Sequence, residues 1–157
     1  MDGVGCSGEG CNCKAKAPPE HTRVPELLAQ ARMSTEVSVA ELFIKNSSKL
    51  TDADREVITQ SVLSAAEEKV VITHGTQTMC ETARFLGTRM RPSTKVVVLT
   101  GAMKSTLEEG SDGLFNLGFA LGAVRHLTPG VYVAMHGRIF PWNNVQLASQ
   151  PKRFEEM

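Results

Sequence analysis

The sequence lacks several features that mark common classes of function. Its 17 basic residues match its 17 acidic residues, so a formal net charge of zero argues against a general nucleic-acid binder. No apolar run approaches the roughly 20 residues that span a bilayer, and the N-terminus has no apolar segment of the signal-peptide kind. These absences favour a cytoplasmic protein, with reduced thiols, that binds neither nucleic acid nor membrane.

Phosphate-binding loops are also missing. There is no G-x-x-x-x-G-K-[ST] sequence, and no G-x-G-x-x-G follows a segment with the composition of a strand. Gly118 and Gly122 form a G-x-x-x-G spacing, but the apolar run around them is too short for a membrane span. Close packing of a helix on a sheet accounts for that spacing, so the sequence predicts no nucleotide site.

The first 20 residues differ in composition from the rest. They are rich in Gly, Cys and Pro and almost free of large apolar side chains, so we expect a disordered leader at 1–20 and one folded domain at 21–157. Cys6, Cys11 and Cys13 raise the alternative of a metal site. A tetrahedral zinc site takes four ligands, and the nearest histidine is His21, so we expect no bound metal.

Helices and strands alternate along the remainder. Four β-branched, apolar segments predict strands buried on both faces, at 37–43, 70–73, 96–100 and 131–135. Helices are predicted at 24–31, 52–66, 78–89 and 114–126, the second with Thr51 as N-cap and Asp54 in an approximate capping box. This alternation predicts an α/β fold with a right-handed, doubly wound parallel sheet flanked by helices.

Small and polar residues follow three of these strands. They occur at His74-Gly75-Thr76-Gln77-Thr78, at Gly101-Ala102-Met103-Lys104 and at His136-Gly137-Arg138. Ligands of open parallel sheets bind outside the carboxyl ends of the strands. The sequence therefore predicts a pocket where these three strand ends meet.

Two interpretations of the threonines after the second strand remain open. A threonine hydroxyl beside a glycine turn is suited to attack a carbonyl, and the amides of the following helix suit an anion. Alternatively, Thr76 or Thr78 simply caps that helix by accepting a hydrogen bond from a free N–H group.

Four motifs in order resemble the bacterial-type L-asparaginase family. Thr-His-Gly-Thr-x-Thr-Met, followed by Glu-Thr-Ala-x-Phe-Leu at 81–86, resembles its second active-site signature. LTGAMKST at 99–106, SDGLFNLGFALGAVRHLTPGVYVAMHGRIF at 111–140 and NSSKLTDADR at 46–55 resemble neighbouring family segments. The likeness runs from about residue 24 to the C-terminus and is closest to short members that consist of the N-terminal domain alone.

This resemblance implies hydrolysis of the side-chain amide of L-asparagine through a threonine acyl-enzyme, with no metal or organic cofactor. It implies that Thr76 is the second active-site threonine and that Ser47 holds the substrate carboxylate. Ala102 would contribute a backbone contact to the substrate amide, and Ser48, Gly75 and Gln77 complete the implied substrate-binding set. The family also builds its sites near subunit contacts, which implies a homo-oligomer.

The sequence departs from the family pattern at catalytic positions. Nothing matches the first signature, a Thr-Gly-Gly-Thr-Ile type turn that carries the primary nucleophile, so the first strand of the sheet is expected to be missing. Gln77 stands where the family has aspartate, Leu147 where it has lysine, and Lys49 where it has an acidic residue. We therefore expect impaired catalysis. Two alternatives remain: a non-catalytic domain that binds a small amino acid or a protein partner, and a chain whose first strand was lost in gene prediction.

Overall fold

The computed structural model describes residues 21–157, so the predictions made for residues 1–20 lie outside the described part. Short 3-10 turns occur at Ser47–Lys49 and Thr76–Thr78. The helices are α1 (Val24–Gln30), α2 (Asp52–Ser64), α3 (Met79–Arg89) and α4 (Gly113–Ala123). The strands are β1 (Lys69–Thr73), β2 (Val96–Thr100), β3 (Gly130–Met135), β4 (Arg138–Pro141), β5 (Gln146–Ser149) and β6 (Lys152–Glu155).

One sheet organises these elements, in the strand order β1-β2-β3-β4. The first three strands are parallel, with Thr73 opposite Thr100 and Val96 opposite Gly130, while β4 is antiparallel to β3. Strands β5 and β6 form a separate two-stranded hairpin. The α/β class with a parallel-rich sheet is confirmed.

Helices cover both faces of this sheet, as the apolar strand composition predicted. Successive side chains of a strand point to opposite faces. On one face Val97 and Leu99 pack with α2 and α3, and on the other Val96 and Val98 pack with α4. All five residues of β2 are consequently buried.

The connections between the parallel strands do not share one hand. The chain steps in the same direction from β1 to β2 and from β2 to β3, but α3 and α4 lie on opposite faces. The β1–α3–β2 and β2–α4–β3 crossovers must therefore have opposite hands. The expectation that every crossover is right-handed, which rests on a strong general tendency, is wrong for one of them.

The strand predicted at 37–43 does not form. These residues have no regular structure, and Val39 and Leu42 are each 43% exposed, although Phe43 packs against the core. A β-branched segment is stable as a strand only where a neighbouring strand supplies hydrogen bonds and packing. Within residues 21–157 no segment pairs with the outer edge of β1, so segment 37–43 has no neighbouring strand there.

Two local features show how turns and caps set the remaining boundaries. The capping box of α2 is confirmed, since Thr51 Oγ1 accepts from Asp54 N at 3.3 Å and the Asp54 carboxylate accepts from Thr51 N at 2.7 Å.

The sequence did not predict strand β4. It follows a tight turn in which His136 (φ 52°) and Gly137 (φ 76°) are both left-handed, the geometry of a two-residue hairpin. Two-residue hairpin turns usually have Asn, Asp or Gly at the first position, so the histidine here did not predict the turn.

Candidate active site at the strand ends

The carboxyl ends of β1 and β2 lie in direct contact. The backbone amide of His74 donates to the carbonyl of Thr100 at 2.8 Å. A Cβ placed on Gly101 would lie 2.2 Å from the His74 carbonyl oxygen, so only a glycine fits there without a shift. The prediction that residues 74–78 and 100–104 share one end of the sheet is confirmed.

The end of β3 joins the same cluster through a buried side chain of α4. Asn116 is fully buried, and its Nδ2 donates to the carbonyl of Gly101 at 2.9 Å. Its Oδ1 accepts from the backbone amide of His136 at 2.9 Å. One amide group therefore ties the ends of β2 and β3 together, and the three strand ends predicted from sequence do converge.

The turn after β1 leaves one threonine hydroxyl uncommitted. Neither Thr76 nor Thr78 caps the helix that follows, because Thr78 Oγ1 donates to the carbonyl of Ser47 at 2.8 Å instead. The capping interpretation is therefore wrong. Thr76 is only 4% exposed, yet no group in residues 21–157 hydrogen-bonds to its hydroxyl, which keeps some contact with solvent. Gly75 is buried beside it and Gln77 is exposed.

The loop that contains Ser47 packs against this turn. Ser47 is fully buried, and its contact with Thr78 holds the Ser47–Lys49 turn next to Thr76–Thr78. Asn46 Oδ1 accepts from Ser48 N at 2.8 Å and from Ser48 Oγ at 2.6 Å, which closes the loop while Ser48 stays exposed. Ala102, buried at the end of β2, completes the candidate set at this end of the sheet.

Sequence reasoning missed a carboxylate that organises the β2 loop. Asp112 accepts hydrogen bonds from Met103 N at 3.1 Å, Lys104 N at 3.0 Å and His136 Nε2 at 2.8 Å. Burial alone would raise the pKa of Asp112, but the Lys104 and Met103 amides and the His136 imidazole hold it below its usual range. The sequence signal for this role is an acidic residue just before a helix, with Asn116 one turn later on the same face. Alone, that pattern indicates only where the helix begins.

We predict that Asp112→Asn destabilises the protein more at neutral pH than at low pH. The folded pKa of Asp112 is lowered, so the stabilisation is fully present above the unfolded value of about 3.9 and is lost as pH falls through the folded pKa. Urea unfolding of both proteins between pH 7 and pH 3 measures this. A difference in unfolding free energy that stays constant with pH would contradict the assignment.

Basic side chains near the strand ends are engaged elsewhere. Lys104 Nζ donates to the carbonyl of Glu109, and the Arg138 guanidinium lies 4.8 Å above the Phe140 ring. Leu147 pairs with Phe154 in the β5–β6 hairpin and packs against the core. None of these three side chains forms a hydrogen bond with Thr76 among residues 21–157, and leucine has no group that accepts a proton.

The part of the chain that the structure describes contains neither a metal-binding cluster nor a membrane-spanning helix. No group of three or more His, Cys, Asp or Glu side chains there is arranged to hold a metal ion. None of the helices there has both the length and the apolar character needed to cross a bilayer.

Comparison with known proteins identifies the family. The family model described as asparaginase, N-terminal, matches residues 9–154. The chain is 36% identical over 116 residues to a subunit of the glutamyl-tRNA(Gln) amidotransferase of Methanococcus vannielii, covering 74% of this chain and 27% of that protein. It is 34% identical over 105 residues to an L-asparaginase of Thermococcus kodakarensis, covering 66% of this chain and 32% of that protein.

Solved structures agree with the sequence matches. The thermostable L-asparaginase from Thermococcus kodakarensis superposes with a TM-score of 0.77 at 28% identity, covering 85% of this chain and 43% of that one. A probable cytoplasmic L-asparaginase from Campylobacter jejuni gives a TM-score of 0.71 at 31% identity, covering 79% and 41%. The chain thus spans less than half the length of these relatives. With the family model matched over most of its length, the chain belongs to the asparaginase N-terminal family.

Proposed function

We propose that this domain binds an amino-acid amide such as L-asparagine at the turn that carries Thr76, and that it belongs by descent to the amidohydrolases but hydrolyses the amide poorly or not at all. The observation that carries the proposal is the uncommitted Thr76 hydroxyl. It lies in a turn held against the Ser47 loop on one side and the β2 end on the other.

The surrounding groups suit a small polar ligand. Small residues line the meeting point of the strands, so backbone and hydroxyl groups can approach a ligand closely. In this proposal Thr76 faces the amide carbonyl, the buried Ser47 loop holds the carboxylate and the backbone of Ala102 contacts the amide. Ser48, Gly75 and Gln77 form the rest of the contact surface.

The same surroundings support impaired chemistry. An acyl transfer needs an activated hydroxyl and a donor set for the developing oxyanion. No base within residues 21–157 forms a hydrogen bond with the Thr76 hydroxyl, and Leu147 offers no group that titrates. Gln77 provides no negative charge for a substrate ammonium. Because members of a catalytic unit act together, losing one can cost orders of magnitude, on the order of 10⁴ in rate.

A second candidate is a non-catalytic domain that works with a protein partner. It is favoured by the relatives that are named as a subunit of a glutamyl-tRNA(Gln) amidotransferase, since that name describes a component of a larger enzyme. In either case we propose a cytoplasmic location and self-association of the chain. The two candidates differ in one measurable respect, which is affinity for a free amino-acid amide.

Binding and hydrolysis by Thr76 variants test the proposal. We expect calorimetry to detect L-asparagine binding to the wild type, ammonia release from L-asparagine and L-glutamine to be very low, and Thr76→Ala to lose affinity. Thr76→Ser keeps the hydroxyl and should retain most of the binding, which separates a ligand contact from a packing effect.

Two outcomes would count against this proposal. Absence of amide binding to a folded wild type would favour the partner-binding candidate. Robust ammonia release that disappears in Thr76→Ala would show that an unidentified group activates Thr76, and impaired catalysis would be the wrong conclusion.

A further inference from the structure

A buried chain of hydrogen bonds leads from helix α2 to the turn that carries Thr76. Arg55 Nε lies 3.2 Å from Thr82 Oγ1, which lies 2.9 Å from His74 Nε2. His74 Nδ1 lies 2.6 Å from the carbonyl oxygen of Gly75. Arg55, Thr82 and His74 are all buried and come from α2, α3 and the end of β1, so the chain of contacts links three elements.

The two ends of this series of hydrogen bonds set the direction of its outer two members. A guanidinium can only donate, so Thr82 Oγ1 accepts from Arg55. A carbonyl oxygen can only accept, so His74 Nδ1 carries a proton and donates to Gly75. In a neutral imidazole Nε2 then has no proton, so the Thr82 hydroxyl donates to it and each of the three contacts has one donor and one acceptor.

We infer that Arg55 is a positioning residue for the Thr76 turn, acting through Thr82 and the neutral Nδ1–H form of His74. The peptide unit between Gly75 and Thr76 is planar and trans, so an imidazole that holds the Gly75 carbonyl also directs the Thr76 N–H away from the ring. The orientation of this peptide therefore depends on a guanidinium of helix α2, which precedes β1 in the chain. This inference concerns the geometry of the turn and holds whether or not the site binds an amide.

Ion pairing alone does not account for the buried guanidinium. Arg55 also contacts the carboxylates of Asp52 and Glu81, each at 3.0 Å. Those side chains are 81% and 59% exposed, whereas that of Arg55 is 8% exposed. Pairs with one highly exposed carboxylate are screened by water and contribute little. The Nε contact with Thr82 is the buried one, and it is the contact that reaches the site.

Nitrogen-15 spectroscopy of the full chain, labelled at histidine and at backbone amides, tests the inference. Signals of His74 are assigned by their absence from His74→Gln. In the wild type we expect a proton on Nδ1 and an unprotonated Nε2 with the shift of a hydrogen-bond acceptor. In Thr82→Val, the His74 Nε2 resonance should move to the chemical shift of a nitrogen that accepts no hydrogen bond. The Gly75 and Thr76 amide resonances should also shift.

Matched variants separate this role from general stabilisation. Thr82→Ser keeps the hydroxyl and should restore the wild-type signals. Arg55→Met removes the guanidinium and should alter the His74 and Thr76 resonances, although Arg55 contacts neither residue directly. This variant also provides the test if Thr82→Val does not fold. Asp52→Asn and Glu81→Gln remove the ion pairs alone and should leave these resonances in place.

Several results would overturn the inference. One is a proton on Nε2 of His74 in the wild type. Another is a folded Thr82→Val or Arg55→Met protein with unchanged His74 and Thr76 signals. A third is an equal shift in the Asp52→Asn and Glu81→Gln controls, because it would show that the ion pairs, rather than the contact with Thr82, hold the turn.

Discussion

Gly101→Ala is expected to destabilise the protein by about 3 kcal/mol, at the upper end of the range for overpacking. The added Cβ would lie 2.2 Å from the backbone oxygen of His74 and 3.0 Å from Met79 Cε. A flexible side chain can move aside, but the His74 carbonyl belongs to the backbone, which the amide of the same residue anchors to Thr100 at 2.8 Å. The ends of β1 and β2 would have to separate.

Gly118→Ala is the matched control for this substitution. A Cβ at Gly118 meets nothing within 4 Å, and the residue lies inside α4. Alanine is favoured over glycine in a helix by about 1 kcal/mol, so this variant should be as stable as the wild type or more so. Urea unfolding of all three proteins measures both effects. Equal stability of Gly101→Ala and the wild type would contradict the close approach of the two strand ends.

The convergence of the strand ends at the candidate site was predictable because it depends on local signals. A buried strand that ends in His74-Gly75-Thr76 and another that ends in Thr100-Gly101 are each visible within a few residues. The rule that ligands bind outside the carboxyl ends of parallel strands then brings them together. The parallel register, with Thr73 opposite Thr100, places the two ends at the same level.

The contacts that hold the site together were not predictable, because they join residues far apart in the chain. Asp112 bonds to Met103 and His136, and Arg55 of α2 contacts Thr82 of α3. Composition shows that such polar residues exist but not which partners they find. The same limit explains segment 37–43, whose strand-like composition lacks a neighbouring strand to pair with in residues 21–157.

The exposed side chain of Gln77 allows the proposed site to be tested by substitution. Gln77 lies directly after the buried Thr76, but its side chain is exposed, so a substitution there changes the surface charge with little effect on packing. Surface substitutions away from caps and buried networks usually change stability by less than about 0.5 kcal/mol. The proposed contact of Gln77 with the ligand can therefore be tested independently of folding.

Gln77→Asp is expected to tighten L-asparagine binding roughly tenfold, about 1.4 kcal/mol. A carboxylate would form a charge-assisted contact with the ligand ammonium, which the neutral amide of Gln77 does not provide. Gln77→Asn is the matched control, since it has the length of aspartate without the charge and should bind like the wild type. Calorimetry at low and high salt should show that the gain shrinks as salt screens the pair. Succinamate, the analogue without an ammonium, should gain nothing. If Gln77→Asp and Gln77→Asn bind L-asparagine equally, Gln77 does not face the ammonium and its place in the proposed site is wrong.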